Sequence, residues 1–190
     1  MSNALQEARK LLDEGDIPGT VRQLRSAVDQ AELHEIATVV RKLSETAGFD
    51  DLAAAAKKLA KRPGQAQALF DFGYGCVERG VSFLAIPALR EALRLAPSTP
   101  VILTELVSAL EDEHRHAEAV QVLAERDTAL RPWPDRYLLV HNALLAGDLA
   151  QADAQLARLP EPDDERWVWP LRAIRRTCGA GSSRCTAPVC

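Results

Sequence analysis

Residues Ala66 to Pro97 read AQALFDFGYGCVERGVSFLAIPALREALRLAP, and this stretch decides the fold. Small residues stand at Gly73, Gly80, Ala85 and Ala92, large apolar ones at Phe72 and Leu89, and Pro97 closes it. Two amphipathic helices joined at a glycine turn set Gly73 opposite Ala85, where small side chains let backbones come close.

The glycine turn is one of a series. Gly15 sits in LLDEGDI, Gly48 in ETAGFDD, Gly80 in VERGVSF and Gly147 in LLAGDLA, and EDEHRHAEA puts His114 at the remaining point. Neighbouring positions are 33, 32, 34 and 33 residues apart. Each turn ends a helix with a residue suited to the left-handed conformation, where glycine costs least. Just after it, Asp16, Asp50, Ser82 and Asp148 are placed to cap the next helix. Asp148 with Gln151 has the spacing of a capping box.

A unit of about 34 residues, two helices around a turn, resembles the tetratricopeptide repeat (TPR). The family's small residue in the first helix falls on Gly73, its alanines in the second on Ala85 and Ala92, and its final proline on Pro97. Leu69, Cys76 and Leu89 depart from it, standing where tryptophan, tyrosine and an aromatic are usual. The resemblance implies an all-α, right-handed α-solenoid of about five antiparallel helix pairs, capped by a closing C-terminal helix, whose work is to hold another protein.

Outward from that centre, the chain divides into 1–64 with two divergent helix pairs, 66–166 with three repeats, a capping helix at 167–176 and a tail at 177–190. The first pair runs from Asn3 to Glu32 with apolar stripes Leu5, Ala8, Leu11, Leu12 and Val21, Leu24, Ala27, Val28. The second runs from His34 to Arg62 with Ile36, Val39, Val40, Leu43 and Leu52, Ala55, Ala56, Leu59. Lys57, Lys58, Lys61 and Arg62 read as a solvated helix end that complements the helix dipole. Pro87 lies inside the second helix of the third pair and predicts a slight kink.

The fourth pair opens at Pro100, with Leu103, Leu106 and Leu110 inward and Val107 at the small-residue position. The fifth opens at Pro134, with Leu139, Val140 and Ala143 inward, and ends at Pro160. Trp167, Trp169, Leu171 and Ile174 are available to cover the last apolar face, since a terminal repeat has no neighbour on one side. TCGAGSSRCTAPVC then loses all periodicity and reads as disordered. Three of the 4 cysteines fall in that tail, which reads as the truncated or frame-shifted end of a longer chain.

Composition sets the outer bounds. Over 190 residues, 47% apolar and 26% charged content suit an ordinary globular chain, and 5% aromatics suit helices packed through small residues. A net charge of −4 argues against a nucleic-acid partner, which calls for a basic stripe. No apolar run is long enough for a membrane span, and MSNALQEARKLLDEGD lacks a signal-peptide core, so the expected location is cytoplasmic.

No catalytic motif, P-loop or dinucleotide fingerprint occurs, so no enzyme activity and no cofactor are expected. Cys178, Cys185 and Cys190 match no paired zinc spacing, and Cys76 reads as a small buried apolar residue. His114 and His116 are two apart across a turn, whereas metal histidines on one helix are commonly four apart, so no metal is expected there. His34 and His141 have no partner at a recognisable spacing. Asp50–Asp51 and Asp163–Asp164 read as caps and a solvated loop.

In stacked pairs the first helix of each lines the concave side. The residues offset from its core stripe are Phe70, Tyr74 and Val77, then Thr104, Ser108 and Glu111, then Tyr137, His141 and Leu144. Those nine make a candidate partner groove suited to an apolar or aromatic peptide. Packing of Phe70 and Tyr74 on the preceding pair is the alternative. Family members that hold a terminal carboxylate use a lysine and asparagine clamp. Its lysine positions fall here on Phe70, Thr104 and Tyr137 and its asparagine positions on Tyr74, Ser108 and His141, so that ligand is not expected.

The sequence therefore predicts a protein-interaction scaffold with a protein or peptide partner and neither nucleic acid nor membrane. Alternatives are a self-assembly module, forming a homo-oligomer through the ends of the array, and the helical part of a larger enzyme or transcriptional regulator.

Overall fold

The computed structural model describes residues 3–126 and 135–158, and these form ten helices with no strand among the described residues. In chain order they are α1 (Asn3–Asp13), α2 (Ile17–Ala27), α3 (Leu33–Ala47), α4 (Asp50–Lys61), α5 (Ala66–Glu78), α6 (Ser82–Leu95), α7 (Pro100–Asp112), α8 (His116–Ala124), α9 (Asp135–Leu145) and α10 (Leu149–Leu156). The fold is all-α, and helices adjacent in sequence pack as neighbours within each of two compact units, Met1–Glu113 and His114–Cys190. The division falls inside the fourth sequence pair, so α7 belongs to the first unit and α8 to the second. The expected closing helix at 167–176, its tryptophans and the cysteine-bearing tail lie outside the described residues.

The turn period has a backbone cause. Gly15, Gly48, Gly80 and Gly147 have φ of 81°, 76°, 67° and 78°. After each, the next residue donates its N–H to the carbonyl five positions back. These bonds are Asp16 to Leu11 at 2.9 Å, Phe49 to Ser44 at 2.8 Å, Val81 to Cys76 at 3.0 Å and Asp148 to Ala143 at 2.8 Å. They are Schellman closures, which satisfy carbonyls that the ending helix leaves open. His114, at the fourth point of the period, is the one non-glycine residue with positive φ among the described residues, at 55°. Histidine pays a Cβ clash there that glycine avoids. His114→Gly should therefore raise unfolding free energy by about 0.5–1 kcal/mol, the clash relieved less glycine's greater unfolded-state freedom. Urea denaturation measures it.

The helix starts agree with the sequence reading at two positions and differ at two. Asp16 accepts from Gly19 N–H at 2.9 Å, and Asp148 from Gln151 N–H at 3.0 Å. The backbone N–H of Asp148 bonds Ala143, so the reciprocal half of the expected capping box is taken by the turn. Asp50 and Ser82 are not caps, because their helices begin on them, after Phe49 and Val81. Asp50 and Asp51 instead put negative charge in the first turn of α4, which suits the helix dipole. Ser82 donates its hydroxyl to Asp112 of α7 at 2.6 Å.

In the first unit each hairpin buries the expected stripe. Leu5, Ala8, Leu24, Ala27, Ile36, Val39, Val40, Leu52, Ala56 and Leu59 are buried, whereas Leu11, Val21, Val28, Leu43 and Ala55 are half-buried at its margins. α6 continues through Pro87 with buried residues on both sides of it. One contact skips the adjacent hairpin. Arg25 of α2 lies 4.1 Å over the ring of Phe83 in α6 and pairs through both outer nitrogens with Glu113. In an array held by nearest neighbours alone this contact has no counterpart.

In the second unit α9 packs between α8 and α10. Val140, Ala143, Leu144 and Ala152 form its buried cluster, with Val120, Tyr137, Leu149 and Leu156 against it. Asn142 is fully buried; its amide donates to Leu138 O at 2.9 Å, and its oxygen lies 3.1 Å from His116 Nδ1. Arg136 donates to Gln155 at 2.5 Å, a second buried polar pair inside this unit.

Candidate functional site: the α5–α7 face

α5 carries Gly73 and Gly75 within a helix, where each costs about 1 kcal/mol relative to alanine. Packing explains both. A Cβ at Gly73 would lie 2.6 Å from Leu89 Cγ, and one at Gly75 would lie 3.1 Å from Leu52 Cδ1. α5 is thus held against α6 on one side and α4 on the other, with Ala68, Leu69, Phe72 and Cys76 buried between. The residue that fills the space at Gly73 is Leu89, where Ala85 was expected. Burial pushes the Cys76 thiol well above its ordinary range and leaves it an inert packing group.

The remaining face of α5 is a ridge with a four-residue step: Phe70, Tyr74, Glu78. The rings of Phe70 and Tyr74 are 6.0 Å apart at 26°, in an offset stack. Phe70 and Val77 are half-buried, but Tyr74 is 44% exposed. Exposure of that size decides against Tyr74 as a core side chain. α7 packs beside α5 and carries Val101, 48% exposed, with Glu105 one turn on and half-buried. Thr104, Ser108 and Glu111 are half-buried on α7, and the Thr104 hydroxyl turns back onto Pro100 O at 3.2 Å.

Partial burial, and then the charge of Glu78, hold the Glu105 carboxyl above its usual range. The nearby cations are engaged elsewhere: Lys58 with Asp71 at 2.6 Å, and Arg79 with Asp51 at 2.6 Å while lying 4.8 Å over the Phe49 ring. Because Glu105 has a raised folded value, its ionised form weakens the fold and protonation restores stability as pH falls. Glu105→Gln should thus stabilise the protein at pH 7 by about 0.3 kcal/mol, the scale of exposed like-charge pairs. The difference should vanish near pH ~4, where an ordinary carboxyl is protonated. Thermal melts at the two pH values read this directly.

The nine residues singled out from sequence divide between the units. Phe70, Tyr74 and Val77 lie on α5, and Thr104, Ser108 and Glu111 on α7, both in the first. Tyr137 and His141 stack in the second, 6.1 Å apart at 7°, with Tyr137 against the buried cluster. Leu144 is a correction: it is fully buried inside that cluster and is a core residue. Val101, Glu78 and Glu105 were missed, although four-residue steps from Tyr74 and Val101 reach both glutamates. His114 and His116 rings are 6.1 Å apart and tilted, and no three metal-binding side chains converge among the described residues. No described helix is long and apolar enough to cross a membrane.

Set against protein-family models, curated proteins and solved structures, the chain finds no match.

Proposed function

We propose that this chain is a non-enzymatic protein-binding module, a TPR-like array of helical hairpins that holds a partner segment on the α5–α7 face. The observation that carries the reading is Tyr74, a large ring stacked on Phe70 yet 44% exposed. Rings held in place by a helix bury much area on binding at small entropic cost. A face formed before binding also spares the partner the cost of ordering its receptor.

Phe70→Ala with Tyr74→Ala should abolish capture of the partner from host extract while far-UV circular dichroism stays unchanged. Loss of two interface aromatics commonly costs about 2 kcal/mol or more, at least thirtyfold in affinity. Capture at wild-type level by the double variant moves the site off this face. Light scattering separates the self-assembly alternative: a mass that rises with concentration and falls back in the double variant identifies a second copy as the partner.

A further inference from the structure

The helices described in the first unit follow one another in sequence, and one fastening runs across that order. It joins Arg25, in the last turn of α2, to Phe83, in the first turn of α6, and to Glu113, which ends α7. The seat that receives Arg25 is held together without it. Ser82, buried at the start of α6, donates its hydroxyl to Asp112 at the end of α7 at 2.6 Å. That bond ties the turn carrying Phe83 to the turn carrying Glu113. The guanidinium carbon then lies 4.1 Å over the Phe83 ring, and the two outer nitrogens pair with both Glu113 oxygens, Nη2 with Oε1 at 3.2 Å. A planar fork that meets a ring face and a carboxylate at once is a fit that arginine makes and lysine does not.

α1 and α2 pack on each other and on α3, and α2 reaches α6 as well. In an open array the terminal hairpin has a neighbour on one side only, so it opens first. Here opening must also break the Arg25 contacts. We infer that α1–α2 is a strap closed across the first unit by Arg25, which makes the first hairpin open together with α5–α7 and keeps the Phe83 ring covered. Release lets the hairpin lift while the later helices stay folded, and it bares the ring beside the Glu113 carboxylate. The Arg25 side chain is 55% exposed, so dissolved ions reach the pair and the closure weakens as salt rises. Together the ion pair and the ring contact are worth about tenfold in an opening equilibrium.

Hydrogen exchange of the full chain across a urea series, read by mass spectrometry on α1–α2 and on α5–α6, tests the strap. In the wild type both segments should lose protection at the same urea concentration. In Arg25→Ala, α1–α2 should lose it at lower urea, exchanging about tenfold faster than in the wild type while α5–α6 stays protected. Glu113→Gln keeps the shape of the seat and should separate the segments in the same direction by less; it carries the same test if the alanine variant does not fold. Sodium chloride at about 1 M should separate them in the wild type and add little in Arg25→Ala. Segments that lose protection together in both variants, or that are as far apart in the wild type as in Arg25→Ala, overturn the strap.

Discussion

Gly73→Val should destabilise the protein by about 3 kcal/mol or more. Leu89 is fully buried, and its Cγ occupies the position 2.6 Å from where a Cβ at residue 73 would stand. Even alanine there forces α5 and α6 apart or Leu89 off its rotamer. Overpacking of this kind costs about 1–3 kcal/mol, and valine's two further methyls push toward or beyond the upper end. Helix propensity moves the other way by well under about 1 kcal/mol, so packing wins. The decisive control is Leu89→Ala. Combined with Gly73→Ala it should be less destabilising than the two single changes added, because each relieves the contact that the other disturbs. Additive costs from chemical denaturation would mean that the two residues do not share that space.

The second large effect separates two faces of one helix. Phe72→Ala should cost about 3–5 kcal/mol, since the ring is fully buried. Tyr74→Ala, two residues on, should cost less than about 1 kcal/mol, because the ring is 44% exposed and stacks only on Phe70. A helix presents positions two apart to different surroundings, so the pair reports which side of α5 is core and which is free. Equal costs would mean that Tyr74 is packed like Phe72, and the partner-binding reading would lose its main support.

Much of this was legible in the sequence because its causes are local. A helix that ends on a left-handed residue leaves a glycine, and the regular interval even located His114, whose positive φ breaks the composition rule but keeps the period. Core stripes were readable because burial follows helical spacing. Leu106 and Leu110 are fully buried as the pattern required. The errors have physical reasons. Asp50 and Ser82 looked like caps, but their helices start on them, and Ser82 turns its hydroxyl to Asp112, 30 residues away. Leu144 was placed in the groove, yet it follows the core residue Val140 by four and closes the same stripe. The Arg25 contact with Phe83 and Glu113 joins residues up to 88 positions apart, and no local pattern encodes it. Glu78 and Glu105 were individually ordinary surface glutamates. The raised carboxyl of Glu105 depends first on burial in the packed fold, which no local pattern encodes.

The most direct measurement of the central claim is site-specific photocrosslinking in the native host. The photoreactive residue p-benzoylphenylalanine would replace Tyr74 or Val101 on the proposed face, or Phe49 or Leu95, which are exposed outside α5 and α7. The account requires one discrete protein adduct from positions 74 and 101 that is missing from 49 and 95. Equal adducts from all four positions, or adducts from 49 and 95 alone, would contradict it.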